Sequence, residues 1–428
     1  MTATQATAPE GPREVAMPRI PLVVLSFGAF VIGTAELVVV GILDLIAADT
    51  GVSISTAGQL VTAYALGIAF GAPALSALTS RFGQRNVLVA ALVAFMAGNV
   101  LAVVATSFDL LLVARVLTGA LHGLFAGTAL ALAGSLVAPD RKGQALSMVI
   151  GGITVSTIFG VPAGTLIGQA LGWQAALLAV IALAGWVLAA TLLFIPKVKG
   201  QGGGMIGAQL RAAVAPRVAA MLAVGLVLFG GQFIAFTFLT PFLNEVTDIS
   251  GGLVGAFLLA YGVAATAGTL LGGSGADRDA SATLLIANSV LVGALLALYL
   301  VGATPILAAL ALAAWGVAGF AIAPAVQLRV ITLAGSGGDV AATLGVSAIN
   351  AGIASGSLIG GAVIASQGAD GPVLGAVIAC SLALPFTWAS RFLSPPTPVD
   401  IDGIEEVDLN ARGEARPPSL ISQEARCS

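Results

Sequence analysis

The chain has 428 residues, 58% of them apolar and only 9% charged, with a mean hydropathy of +1.04. Those values exclude an ordinary soluble domain and place the chain among polytopic membrane proteins, so length does not count soluble domains here. The net charge of −3 says less than where the charges lie, and Cys380 in an apolar run with Cys427 in a polar tail suggests no disulfide framework.

Residues 1–19 are polar, with Pro9, Pro12 and Pro18, and lack a short apolar core followed by a small-residue cleavage site, so they read as a cytoplasmic tail and not a signal peptide. Twelve apolar runs follow: 20–46, 55–79, 86–106, 109–137, 144–170, 173–195, 218–243, 252–273, 280–301, 305–331, 342–366 and 372–393. Most suit tilted transmembrane helices, which need about 20 apolar residues. Backbone groups in lipid must be satisfied within each segment, and the runs do not alternate with period two, so helices are expected.

Orientation follows from the basic residues. With the N-terminus cytoplasmic, the inside segments carry Arg19, Arg81, Arg85, Arg141, Lys142, Lys197, Lys199, Arg211, Arg217, Arg278 and Arg391, while the outside loops carry only acids, among them Asp49, Glu245, Asp248 and Asp370. This bias predicts a multi-pass protein of the cell (plasma or inner) membrane with both termini cytoplasmic. The glycine-rich, basic stretch 196–217 separates six runs (20–195) from six (218–393). Residues 394–428, rich in Pro, Asp, Glu and Arg, are expected to be disordered.

The halves show a weak repeat. Gly160, Gly164 and Gly168 in GVPAGTLIG stand 192 positions before Gly352, Gly356 and Gly360 in GIASGSLIG, and Arg81 stands 197 before Arg278. A parallel duplication of six helices is the architecture of one large transporter class.

Within the runs, ionisable residues are the functional candidates, because a charge in hydrocarbon is expensive and faces protein or a wet cavity. The first run carries Glu36 well inside and Asp44 toward its far end. Asp44 reads either as a second acid in a cavity or as a solvated residue at the rim. The fourth carries Arg115 and, seven residues on, His122, which at 100° per residue share a face about 10 Å apart along the axis. Glu36 and Arg115 lie at similar depth, about 9 to 12 Å from the outer boundary, so Arg115 is expected to pair with Glu36. His122 suits either a proton relay or a hydrogen bond between helices. Gln59, Tyr64, Gln232, Phe233, Phe236 and Asn350 are candidates for lining a substrate cavity, and the low aromatic content of 6% argues mildly against one built on stacking. The run GSGGD at 335–339 lacks the Lys and Ser/Thr of a phosphate loop.

FVIGTAELVVVGILDLIAADTGVS, SALTSRFGQRNVL, RVLTGALHG and GVPAGTLIG together resemble the major facilitator superfamily, specifically its twelve-helix drug:proton antiporters and the branch holding chloramphenicol and sugar efflux proteins. The resemblance covers residues 20–393. It implies an all-α integral membrane fold of two six-helix bundles related by a pseudo-two-fold axis, working as a monomer. Arg81, Gly83 and Arg85 match the superfamily's gating loop, but Ser76 and Ser80 stand where Gly and Asp are usual; the second half keeps Asp277 and Arg278. Arg115 falls on the family's intramembrane arginine. Gly160, Pro162 and Gly164 match its antiporter motif, where small residues permit close approach and a proline permits a bend.

The expected function is export of a small amphipathic, chloramphenicol-like molecule in exchange for protons, by alternating access. An acid in an apolar cavity favours its neutral form and one beside an Arg its charged form, so separating and rejoining the two would drive proton uptake and release. The alternatives are a sugar or nucleoside exporter, a proton-coupled importer, or a membrane receptor or scaffold. No nucleophile and base pair, metal-ligand cluster, cofactor loop or nucleic-acid footprint appears, so the chain reads as no enzyme, with small molecule, protons and lipid as its partners.

Overall fold

A computed structural model describes residues 19–79, 81–137, 142–197, 215–335 and 338–395. The expected N-terminal tail apart from Arg19, the loop position Ser80, Arg141, most of the linker 196–217 and nearly all of the tail 394–428 lie outside them.

The described chain is helical. In order, α1 is Arg19–Gly41, continued beyond Ile42 by Leu43–Thr50; α2 is Ile54–Thr79; α3 Gln84–Val103; α4 Phe108–Ser135; α5 Ala145–Leu171; α6 Trp173–Phe194; and α7 Pro216–Glu245. The next helix, Gly252–Val301, is 50 residues long and hides two spans, α8 (252–278) and α9 (280–301). At the join Asp279 leaves helical geometry (φ −153°, ψ 99°), and its carboxylate accepts from the backbone N–H of Ser281 and Ala282, the bonding of an N-cap. Asp277 and Arg278, expected in a loop, are therefore the last residues of α8. Pro305–Ala334 (α10), Gly338–Gln367 (α11) and Gly371–Ser390 (α12) complete twelve.

Two spans contain a widened turn, and each has the same cause. Gly67–Gly71 in α2 and Ser156–Gly160 in α5 form π-type turns, followed two residues later by Pro73 and Pro162. A proline inside a helix lacks its N–H and clashes with the carbonyl four residues back, and a five-residue turn relieves both.

Packing in lipid gains little from apolar area alone and depends on close approach. The repeated glycines supply it. A Cβ at Gly160, Gly164 or Gly168 of α5 would strike Thr34, Val38 or Ile42 of α1, while one at Gly352, Gly356 or Gly360 of α11 would strike the backbone at Leu226, Gly230 or Ile234 of α7. Both seams run in steps of four, and the partner positions on α1 and α7 also stand 192 apart. A third seam joins α2 to α4, where Gly67 meets the Val116 carbonyl and Gly119 meets that of Tyr64.

The halves of the chain meet at the end that holds the α1–α2 and α7–α8 connections. There Ser55 donates to the Gly361 carbonyl, Ser357 to that of Gly58 (2.9 Å), Thr62 to that of Ala354 (3.3 Å) and Thr240 to that of Val40 (2.8 Å). One apolar core, from Leu37 and Ile46 through Phe238 and Phe242, crosses between the halves at this end. Toward the opposite end a separate cluster, from Leu22 through Phe95 and Leu132, is confined to the first six helices. There the last turns of α2, Ala72–Thr79, hold no fully buried residue.

Candidate functional site

Four polar side chains from three helices meet within the first half. The α2–α4 seam brings Tyr64 against Arg115 and His122, and α1 adds Glu36 from the face opposite its contact with α5. The Arg115 guanidinium lies 4.0 Å above the Tyr64 ring and is 3% exposed. It donates to three backbone carbonyls, Ala35 (3.0 Å) and Glu36 (3.2 Å) on α1 and Leu60 (3.3 Å) on α2. Each of these N–H groups is charge-assisted, so together they clamp three helices.

Arg115 does reach α1 at the depth of Glu36, but the expected ion pair is absent: the guanidinium takes the Glu36 carbonyl and not its carboxylate. The carboxylate, 20% exposed, lies 3.7 Å from Nδ1 of buried His122, which is the ion-pair contact found among the described residues. The same Nδ1 is 3.0 Å from the Tyr64 hydroxyl, whose alternative acceptor is the Ile32 carbonyl at 3.5 Å. Nδ1 therefore has two competing partners. It accepts from the tyrosine when unprotonated and donates toward the carboxylate when protonated, which is the local chemistry a proton relay requires. Tyr64, expected to line a substrate cavity, lies in this cluster, with its ring under Arg115 and its hydroxyl on His122.

The other candidates separate. Asp44 is half-buried and accepts from Asn244 of α7 (3.4 Å), which makes it part of the contact between the halves. Gln59 is half-buried at the same end. Asn350 is buried and donates to its own helix at Val346 (3.0 Å), leaving its Oδ1 without a partner. Gly83 precedes α3 with extended geometry, Arg85 donates to the Leu192 carbonyl near the end of α6, and Arg81 is exposed over Phe82. Asp277 and Arg278 are exposed. No ion pair joins these charges to one another among the described residues.

Gln232, Phe233 and Phe236 do converge, with partners the composition concealed. Phe233 packs edge-on to Phe236 at 5.2 Å, Phe236 stacks on Tyr261 of α8 at 5.1 Å, and Trp315 of α10 meets Phe236 at 6.1 Å and Tyr261 at 5.6 Å. Phe320 adds a further ring against Tyr261 at 6.2 Å. Few aromatics does not mean dispersed aromatics: five of the rings gather in one cluster between α7, α8 and α10. The signal available was register: Tyr261 follows Tyr64 by the same 197 positions that separate Arg81 from Arg278.

The sequence profile of the Major Facilitator Superfamily matches residues 25–348. Similar proteins include the uncharacterized MFS-type transporter YtbD of Bacillus subtilis, 36% identical over 81% of this chain and 89% of its own. The inner membrane transport protein YdhP of Escherichia coli is 34% identical over 88% and 97%, and a chloramphenicol resistance protein of Streptomyces lividans is 29% identical over 86% and 96%. Among solved structures, a bacterial homolog of the human lysosomal transporter Spinster, in an inward-facing and unoccupied conformation, superposes with a TM-score of 0.71 at 15% identity, covering 90% of this chain and 100% of that one. A D-xylose–proton symporter does so with a TM-score of 0.71 at 16% identity, covering 89% and 98%. Twelve apolar helices in this arrangement, the profile match and full-length relatives agree: the chain belongs to the Major Facilitator Superfamily and is a multi-pass membrane transporter.

Proposed function

We propose that this transporter exports small, largely apolar or amphipathic molecules in exchange for protons. The observation that carries the reading is an acid–base centre, Glu36 with His122, Tyr64 and Arg115, inside the span of a protein whose halves are sealed at one end. Intramembrane ionisable groups mark proton and substrate paths by default. The chloramphenicol resistance protein among its relatives supports efflux of a compound of that kind.

The basic residues Arg81, Arg85, Lys197, Arg217, Arg278 and Arg391 fall at the end away from the sealed contacts, and Asp49, Glu245, Asp248 and Asp370 at the sealed end. By the positive-inside rule the sealed end is outside and both termini are cytoplasmic. The chain is then in its inward-open state, two six-helix bundles (20–195 and 218–393) rocking about a central site. In this state Glu36 gives its proton toward the cytoplasm by way of His122 Nδ1, with Tyr64 holding the ring. Arg115 remains fixed on the α1 backbone, where its charge offsets that of the carboxylate left behind. Substrate entering from the cytoplasm or inner leaflet is carried out as the bundles rock, and Glu36 is reprotonated from outside.

The test is proton movement in everted membrane vesicles, read by a pH dye as candidate compounds are added. Wild type is expected to move protons on addition of substrate and Glu36→Gln to lose the response. A Glu36→Gln protein that still exports its substrate against a gradient, driven by the proton-motive force, overturns the mechanism. A response to sugars alone identifies a sugar exporter.

A further inference from the structure

We propose that the aromatic cluster of the second half, with the Gln232 amide at its edge, is a subsite that selects a planar, uncharged ring bearing a hydrogen-bond acceptor. This rests on the exporter reading for its role in transport, but as a binding site it stands on its own geometry.

Trp315 Nε1 can only donate, and it donates to Gln232 Oε1 at 3.3 Å, which fixes which way the amide points. The other end, Nε2, is buried and has no partner, in a side chain only 3% exposed. Buried donors are rarely left open, since each forfeits its bonds to water without replacement. The same amide is tied through its Oε1 to Trp315, and Trp315 belongs to a cluster with Phe236, Tyr261 and Phe320 whose faces and edges meet at 5.1 to 6.2 Å. A flat ring gains from such neighbours by stacking and edge contact, and a carbonyl or nitro oxygen on it answers the amide N–H.

Two observations place the cluster on the transport route. Tyr261 occupies the position in the second half that Tyr64 holds in the acid–base centre of the first, 197 residues earlier. Gly262, next to it, packs against the Thr157 carbonyl of α5, so this part of α8 borders the first half. The cation–π contacts found among the described residues lie elsewhere, at Phe82, Tyr64, Trp388 and Phe392, and the partners recorded for these rings are other rings and the neutral Gln232 amide, which suits an uncharged ligand. The duplicated halves thus divide the work, ionisable chemistry in one and ring recognition in the other.

The probe is para-nitrobenzamide, whose nitroaromatic ring quenches indole emission, added to purified full-length protein in lipid nanodiscs. Wild type is expected to show saturable quenching that is absent from Trp315→Phe and from empty nanodiscs. Benzamide is expected to displace the probe and cyclohexanecarboxamide not to. Gln232→Met, close in volume and retaining the reporter, is expected to weaken binding about tenfold, as is Phe236→Leu, each removing one polar or ring contact. Equal displacement by the cyclohexane compound, unchanged affinity in both Gln232→Met and Phe236→Leu, or no saturable quenching in a monodisperse wild-type protein overturns the proposal, and would leave the rings as packing. Failure of the exporter reading is distinguishable: ring binding without proton movement in vesicles removes the coupling and keeps the subsite. Proton movement driven by compounds that never quench Trp315 removes the subsite and keeps the coupling.

Discussion

Replacing Arg115 by Lys separates two roles for the intramembrane arginine. If the residue acts as a point charge beside Glu36, lysine preserves it. If it acts as the clamp seen here, lysine cannot replace it, because three N–H groups in a planar fork reach carbonyls on two helices while the same plane covers the Tyr64 ring. An ammonium on a flexible stem holds one of those carbonyls well. Losing two charge-assisted bonds at about 1.5 to 3 kcal/mol each, and a desolvated cation–π contact of about 1 to 2 kcal/mol, gives roughly 4 to 8 kcal/mol gross. Single substitutions rarely cost more than about 4 kcal/mol even where a buried hydrogen-bond network is broken, so a net loss of about 2 to 4 kcal/mol is expected. The assay is reversible unfolding in mixed micelles of sodium dodecyl sulfate and a mild detergent, with Arg115→Met alongside. The clamp is refuted if Arg115→Lys matches wild type within about 0.5 kcal/mol while Arg115→Met is strongly destabilised.

Gly164→Leu drives a branched side chain into Val38, which leaves no room even for a Cβ; overpacking of about 1 to 3 kcal/mol or more is expected to separate α1 from α5, seen as faster labelling of cysteines placed along the seam. Thr240→Val with Ser357→Ala removes two bonds between the halves, about 0.5 to 1.5 kcal/mol each. Distances between spin labels across the sealed end should then show a larger open population, and an unchanged distribution would mean that apolar contact alone seals it. Asp279→Ala removes the cap of α9 and is expected to cost about 1 kcal/mol in the same micelle unfolding assay, while Asp279→Asn restores most of it.

Much of the fold was legible because lipid simplifies the problem. Each span must satisfy its own backbone, so hydropathy located the twelve helices, including the α8–α9 break that Asp279 makes within a continuous 50-residue helix. Glycines four apart announced close approach, since nothing but hydrogen fits where Gly164 meets Val38. What the glycines met was not legible: small residues state that some helix comes close, not which. The π-turns before Pro73 and Pro162 had a local cause that spacing arguments passed over.

At the candidate site the polar residues could be picked out of the apolar runs, but which of them touch is a matter of helix packing. Glu36, Arg115 and His122 stand out in any apolar run because burying a charge is costly wherever it lies. Depth along a helix is set by the 1.5 Å rise, so Arg115 was correctly brought level with Glu36. Rise does not set azimuth, rotamer or the seam between neighbours. Those came from the packing of α1, α2 and α4: Gly119 sits against the Tyr64 backbone, the tyrosine meets His122, Arg115 takes carbonyls and the Glu36 carboxylate is left to His122. The aromatic cluster of α7, α8 and α10 is the same lesson. Rings at 236, 261 and 315 are far apart in sequence, and only the packing of three helices makes them neighbours.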